Sequence, residues 1–458
     1  MLTYVQAHRQ LHAVGEIPGH FPGVYHYSGR TILVTQGPVL VERKAGDWKM
    51  LRDVFERLFV YPVDGPEMPS HWQLHLKGPR DLQREKKVWE LLCREQEYAD
   101  EESGEVRTRW VLDQTPVIYT WLRLTLDLYY LRAATGGFYR GLPILRNLPA
   151  LVIAGKPDGG KSLFQDFVVK PMLGGRSADP SKYVTAKTDF NADLFQSDLL
   201  KLGDTPLSSK LEDRQILGQF LKHIVAEQWH RYHPKRYDAL GDVPAIWRVL
   251  FTLNDDKENL MTLPPMIEGV VDKLILVHAN GLGIPVDTTE LEAYMDFGAN
   301  LRESLPAFAH WLTTEYEVPE VLKGGRWGMV AVQAPSLMEE LFEDSPTGQL
   351  LHLIDAARWV LMGSKVDLWT YVNSRTEVQR YGAVETTDGR CWCGGWEELK
   401  ALLIEEESNI AHEARNLFKW KRLDQLLGRL KKEQPHRVMS ARKKGYRYWK
   451  VFARGPES

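Results

Sequence analysis

Residues 147–155, NLPALVIAG, end in a short unbroken apolar run, the pattern of a strand covered on both faces of a parallel sheet. WRVLFTL (247–253) repeats it, and DLLKLGDT (198–205) holds a third apolar run closed by an acid. From about 150 to 280 such runs alternate with helical patterns, which predicts an α/β core. Upstream, VYHYSGRTILVTQGPVLVE (24–42) alternates around Ser28-Gly29 and Gly37-Pro38, so residues 1–60 lean towards strands. PVIYTWLRLTLDLYYLRAA (116–134) has helical apolar spacing and stops at Gly136-Gly137, whereas the acidic EQEYADEESGEV (95–106) predicts a solvated loop. Residues 285–385 are mixed and mostly helical. The end of the chain, 396–452, reads as three helices followed by two short strands around Gly445.

The first apolar run opens into GKPDGGKSL (155–163), which fits G-x-x-x-x-G-K-[ST] and precedes a helical pattern, SLFQDFVVKPML. Glycines let backbone N–H groups wrap phosphate oxygens, and a helix N-terminus adds partial positive charge. The expected nucleotide contacts are Gly155, Asp158, Gly159, Gly160, Lys161, Ser162 and Leu163. Lys161 would neutralise the terminal phosphates, while the Ser162 hydroxyl would ligate Mg²⁺. ATP and Mg²⁺ are the cofactors this predicts. A second metal-side ligand should close a neighbouring strand, and Asp204 is the candidate; Asp198 precedes its run rather than ending it. Asn254 closes WRVLFTL at the edge where parallel sheets bind ligands, suited to holding a phosphate or a water.

Charge adds a partner class. The chain of 458 residues carries a formal net charge of −3, so overall charge points to no polyanion. Locally the picture changes. EQWHRYHPKRYDALGD (227–242) interleaves cations with Trp229, Tyr232 and Tyr237, and residues 415–454 hold fourteen Lys/Arg against Asp424 and Glu433. Cations among rings suit a single strand of nucleic acid, whose phosphates meet charge and whose bases stack. Only Cys93, Cys391 and Cys393 occur, too few for a disulfide framework, and Cys391-Trp-Cys393 lacks a second ligand pair for a metal, so free thiols are expected. With no apolar run near the ~18 residues of a membrane span, and no apolar leader, a soluble cytoplasmic protein is expected.

The order of these motifs resembles the superfamily 3 helicases of viruses, phages and plasmids, above all the helicase half of phage/plasmid-type primase–helicases. The likeness lies in GKPDGGKSLFQDFVVKPMLGGRSADP, TDFNADLF, EDRQILGQFLKHI, HPKRYDAL and WRVLFTLNDDKENLMTLPPMIEGVVDKLILV, and covers roughly residues 20–280. It implies Walker A roles for Lys161 and Ser162, a Walker B role for Asp204 and a sensor role for Asn254, the three catalytic positions being Lys161, Asp204 and Asn254. His233, Lys235 and Arg236 fall on the hairpin that grips single-stranded DNA inside a ring. Two positions depart from the family: Gly203 stands where relatives carry a second acid beside Asp204, and no arginine lies between Asn254 and Asn280. Lys273, Arg214 or Arg248 would then have to supply the cation that a neighbouring subunit contributes.

The resemblance implies a P-loop AAA+-like α/β core with a parallel sheet over 141–285, and an N-terminal mixed α/β collar over 1–140. A helical extension over 286–390 and a basic winged-helix-like domain over 391–458, with Lys443, Lys444 and Arg447 on DNA, complete it. The implied activity is ATP-dependent DNA unwinding in replication of a phage, plasmid or other mobile element, by a homo-hexamer on single-stranded and forked DNA, with a separate primase. Two readings compete with it: a nucleotide-gated DNA-binding or initiator protein, and a P-loop kinase or small-molecule NTPase.

Overall fold

The computed structural model describes residues 11–14, 23–27, 30–34, 40–63, 65, 74–75, 82–100, 104–134, 147–184, 188–203, 211–233, 240–245, 247–266, 269–281, 286, 289–324, 326–343, 345–356, 361–362, 383–386, 389–405, 409–420, 422–434, 437–443 and 446–452. Asp204, Lys235, Arg236 and Lys444 lie outside these residues, as does the side chain of Lys443. The chain divides into two compact units, Met1–Met338 and Glu339–Ser458, so its break falls within the stretch expected to be a helical extension.

At the centre of the first unit is a five-stranded, all-parallel sheet flanked by helices, an α/β fold. Its spatial order is Leu274–Ala279, Ala150–Gly155, Arg248–Asn254, Leu199–Leu202, Ser177–Ala178. The strand that comes first in the chain therefore lies between the last two, and the next one sits at the far edge. Ala150–Gly155 and Leu274–Ala279 are buried along their whole length, which is why they read as unbroken apolar runs rather than alternating ones. Register places Gly155 opposite Asn254 on one side and Ala279 on the other. The glycine loop and the asparagine thus leave the sheet at the same carboxyl edge.

Helices bury the faces of this sheet. Lys49–Phe59 directs Leu51, Val54, Phe55, Leu58 and Phe59 inward, a stripe at three- and four-residue spacing. The Phe55 and Phe59 rings meet Phe164, just beyond the glycine loop, at centroid distances of 5.2 and 4.9 Å. The helix Thr115–Ala134 forms where helical spacing predicted it, and Tyr119 joins Phe55, Phe308 and Trp311 in the same aromatic core. Near the N-terminus, Gly23–Tyr27 and Arg30–Val34 pair as an antiparallel hairpin, with Leu11–Val14 parallel to the second strand.

One expectation is corrected. The acidic stretch after Cys93 is not simply a loop: Cys93–Ala99 is a strand, antiparallel to Val106–Asp113. Its acids point to solvent while Gln96 and Tyr98 face neighbours, and Arg109 bonds Gln96 Oε1 at 3.1 Å and covers the Tyr98 ring at 4.6 Å. Cross-strand pairing and a cation on a ring hold a segment whose composition alone signals solvation.

The second unit contains helices Pro346–Ala356, Trp396–Glu405, Asn409–Trp420 and Leu423–Glu433, then the antiparallel strands Val438–Lys443 and Tyr446–Phe452. Three consecutive helices and a hairpin are what the sequence of this tail predicts. Leu423, Leu426, Leu427 and Leu430 are all buried, with Trp392, Trp449 and Val451 in the same cluster. Cys393 is buried, and Cys93 is a half-buried free thiol.

Candidate functional site

Gly155 ends its strand with no room for a side chain. A Cβ there would lie 2.7 Å from the Ala279 carbonyl oxygen and 2.8 Å from the Ala279 Cβ, so only glycine lets the two strands converge below the loop. The loop then turns through two left-handed positions, Asp158 at φ 57° and Gly160 at φ 89°. From Gly160 the chain enters a helix at Lys161–Leu163, widens into a π segment over Phe164–Val169 and tightens again at Lys170–Met172. Ser162 is exposed in the first helical turn, while Leu163 is buried beneath it. Gln165, on the π segment, accepts a hydrogen bond from Thr252 Oγ1 at 3.2 Å, tying the helix to the strand that carries Asn254.

Lys161 closes the arrangement. Its Nζ donates to the carbonyls of Gly155 at 2.9 Å and Lys156 at 2.6 Å, and to Asn254 Oδ1 at 3.2 Å. The side chain is only 6% exposed, so its ammonium sits in the concavity of the loop instead of reaching into solvent. Two residues 93 positions apart in the chain are thereby in direct contact. A cation over a glycine loop, facing an asparagine amide, is a chemically coherent seat for a triphosphate. The donor set fits ATP: Lys161 for phosphate charge, loop N–H groups for phosphate oxygens, and the exposed Ser162 hydroxyl for a magnesium ion.

Next to this pair lies a group the sequence reading missed. Asp255 follows Asn254, and its Oδ2 is 3.1 Å from His278 Nε2; His278 Nδ1 is 2.7 Å from Ser336 Oγ. The ring stacks on Tyr61 at 4.0 Å, and Gln114 bonds both its backbone N–H and its C=O. Burial lowers the His278 pKa, the Asp255 hydrogen bond and charge work against that, and Lys156 adds to the lowering. A neutral ring donating from Nε2 to Asp255 and accepting from Ser336 satisfies every partner. The only available signal was a polar residue at the end of the buried strand LILVHA.

Since the folded pKa of His278 lies below the unfolded one, the unfolded chain takes up a proton first as pH falls through about 6.5. Stability from neutral His278 is therefore present above that pH and is lost below it, until the folded ring also protonates. Wild type should lose stability more steeply than His278→Gln as pH falls below about 6.5, by up to about 1.4 kcal/mol per unit. Denaturant titrations at stepped pH check this; identical slopes would contradict it.

The other candidates fall in three groups. Asp204 lies outside the described residues; the strand before it, Leu199–Leu202, runs parallel to Arg248–Asn254 with Leu202 opposite Phe251. Asp198 is fully buried before that strand begins, held by Arg176 through bonds of 2.6 and 2.8 Å, so it belongs to the opposite edge of the sheet from Asn254. The three cations considered for a role in trans are each buried and hydrogen-bonded within this chain. Lys273 is 6% exposed and bonds Asp272 at 2.8 Å; Arg214, at 5%, donates to the Leu263 carbonyl at 2.7 Å; Arg248, at 3%, donates to Thr125 Oγ1 at 3.2 Å.

The segment read as a basic hairpin is described only at its two strands, residues 234–239 between them lying outside the described residues. Trp229–Tyr232 pairs antiparallel with Leu240–Pro244. His233 follows the first strand and is pinned to Asn191, with bonds of 2.7 Å to the Asn191 side chain and 3.0 Å between the backbones. Exposed Phe190 packs against the His233 ring at 5.0 Å, exposed Trp229 stands at the start of the strand, and Arg231 is exposed between them. His230 points the other way, into the interior. In the second unit Arg442 and Arg447 are exposed cross-strand partners and Arg429 and Lys431 are exposed on the preceding helix, whereas Arg437 is turned inward onto Asp355 and the Phe452 carbonyl.

No family model and no curated protein matches this chain. Among solved structures it is similar to two apo structures of the NrS-1 C-terminal region, at 12% and 11% identity with TM-scores of 0.43 and 0.44. Each comparison covers 96% of this chain and 84% of that one. No helix among the described residues is long and apolar enough to cross a membrane.

Proposed function

We propose that this chain is a DNA-dependent ATPase that unwinds DNA in the manner of superfamily 3 helicases. One observation carries the reading: Lys161 Nζ bridges the Gly155 and Lys156 carbonyls and Asn254 Oδ1 at the carboxyl edge of a parallel sheet. ATP bound there with Mg²⁺ would supply the energy of phosphoanhydride cleavage. Lys161 would neutralise phosphate charge, Ser162 and Asp204 would hold the metal, and Asn254 would orient a water or the terminal phosphate. Asn254 is followed by Asp255, whose carboxylate is hydrogen-bonded to His278, which in turn is bonded to Ser336.

The DNA contacts proposed are His233, Lys235 and Arg236 on the hairpin, and Lys443, Lys444 and Arg447 on the basic tail. Exposed Phe190 and Trp229 offer base-stacking surfaces beside exposed Arg231. A homo-hexameric ring on single-stranded or forked DNA, with a separate primase in replication of a mobile element, completes the proposal. The interior positions of Lys273, Arg214 and Arg248 favour one alternative, a nucleotide-gated DNA-binding protein with little unwinding.

Strand displacement on forked DNA separates these readings. Helicase action predicts ATP-dependent displacement together with DNA-stimulated hydrolysis, and DNA affinity that falls steeply with salt. ATP-dependent DNA binding without displacement would favour the gated binder. Absence of DNA binding in either nucleotide state would remove both.

A further inference from the structure

We infer that His223, Glu227 and His230 form a binding site for one divalent transition-metal ion of the zinc class. Glu227 follows the helix Leu211–Ala226, one turn beyond His223, and His230 lies on the first strand of the hairpin. One ligand atom from each of the three comes within 4.8 Å of the others. His223 Nε2 is 3.1 Å from His230 Nδ1, and His223 Nδ1 is 2.7 Å from Glu227 Oε2. Bonds of about 2.0–2.1 Å in a tetrahedral zinc site put neighbouring ligand atoms about 3.3 Å apart, so a modest rotation of two side chains admits the ion.

The fixed member is His230. It is 4% exposed, its ring lies 5.1 Å from that of Trp247, and its Nε2 faces the Glu227 carbonyl at 3.1 Å. That carbonyl also accepts from Asn147 Nδ2 at 2.9 Å. A ring whose Nε2–H is spent on a backbone carbonyl presents the Nδ1 lone pair towards the cluster, the outer support that metal-binding imidazoles need. His223 and Glu227, with side chains 54% and 56% exposed, are able to adjust and leave an outer position open to water. Two imidazoles and one carboxylate suit Zn²⁺ or its neighbours and not Mg²⁺ or Ca²⁺, which take oxygen shells. The ion would cross-link the end of the helix to the root of the hairpin. This inference does not depend on nucleotide binding or unwinding.

The test is a Co²⁺ titration of the tag-free, chelator-treated chain, followed by its visible d–d bands and by displacement with Zn²⁺. One equivalent of strongly absorbing, low-symmetry Co²⁺ is expected, displaced by Zn²⁺ and unaffected by excess Mg²⁺. His223→Ala should weaken it about tenfold to a hundredfold or more, and His223→Ala with Glu227→Ala should abolish it; both side chains are exposed, so circular dichroism should stay unchanged. Absence of such bands, or bands that survive in the folded double variant, overturns the assignment, since the sequence holds 14 histidines and other sites must then be responsible.

Discussion

Lys161→Ala is expected to lower ATP hydrolysis by about a hundredfold or more, with the fold intact. The Lys161 ammonium bonds two loop carbonyls and Asn254, all three of them at the edge of the sheet. Water can replace those bonds once the side chain is gone. What water could not replace is a fixed positive charge at the spot where, in the proposed reaction, phosphate charge would build up. Hydrolysis measured at saturating nucleotide, beside circular dichroism and a melting curve, checks both halves. An unchanged rate in a folded variant would mean that any hydrolysis occurs elsewhere.

The largest stability effect should come from Arg176→Met, about 3 kcal/mol. Asp198 is fully buried, and Arg176 meets it through two bonds with its own side chain 24% exposed. Removing one partner of a buried pair leaves the other charge in a medium that solvates it poorly, at a cost of roughly 3–5 kcal/mol. The partial exposure of Arg176 puts the expectation at the lower end. The backbone raises the stakes, because the Asp198 carbonyl accepts from Tyr129 Oη at 3.1 Å and from the Arg248 N–H at 2.8 Å. Lys201→Met is the control. Its bond to the half-exposed Asp166 is as short, 2.8 Å, yet should cost about 1 kcal/mol or less. Urea unfolding of the three proteins reads the contrast, and equal midpoints for the two variants would contradict it.

Much of the site is legible in the amino-acid sequence, and the reasons are local. LVIAG is apolar at every position preceding its glycine because its strand is covered on both faces, and the loop residues are those whose backbone must bend there. Asn254 stands out by its place at the end of a similar run. The pairing of Lys161 with Asn254 is not legible, since it depends on which strands become neighbours; the sheet order supplies it. His278 and Ser336 escape notice for the same reason, being joined to Asp255 only by tertiary contact.

Misreadings also have a physical pattern. The resemblance asks Lys273, Arg214 or Arg248 for an available cation, but each arginine or lysine stem is apolar enough to be buried once its head finds a partner. His230 counts as a basic residue among others, although strand alternation turns it inward while Arg231 faces out. The acidic run after Cys93 looks too polar for order, and cross-strand pairing orders it.

The most direct measurement is a calorimetric titration of Mg²⁺ with a slowly hydrolysed ATP analogue into the nucleotide-free chain, repeated with Lys161→Ala. A triphosphate seat at residues 155–162 predicts saturable binding, one per chain, in about the micromolar to millimolar range, and greatly weakened in the variant. Folded wild-type protein that gives no saturable heat at millimolar ligand, or binds as well without Lys161, would contradict it.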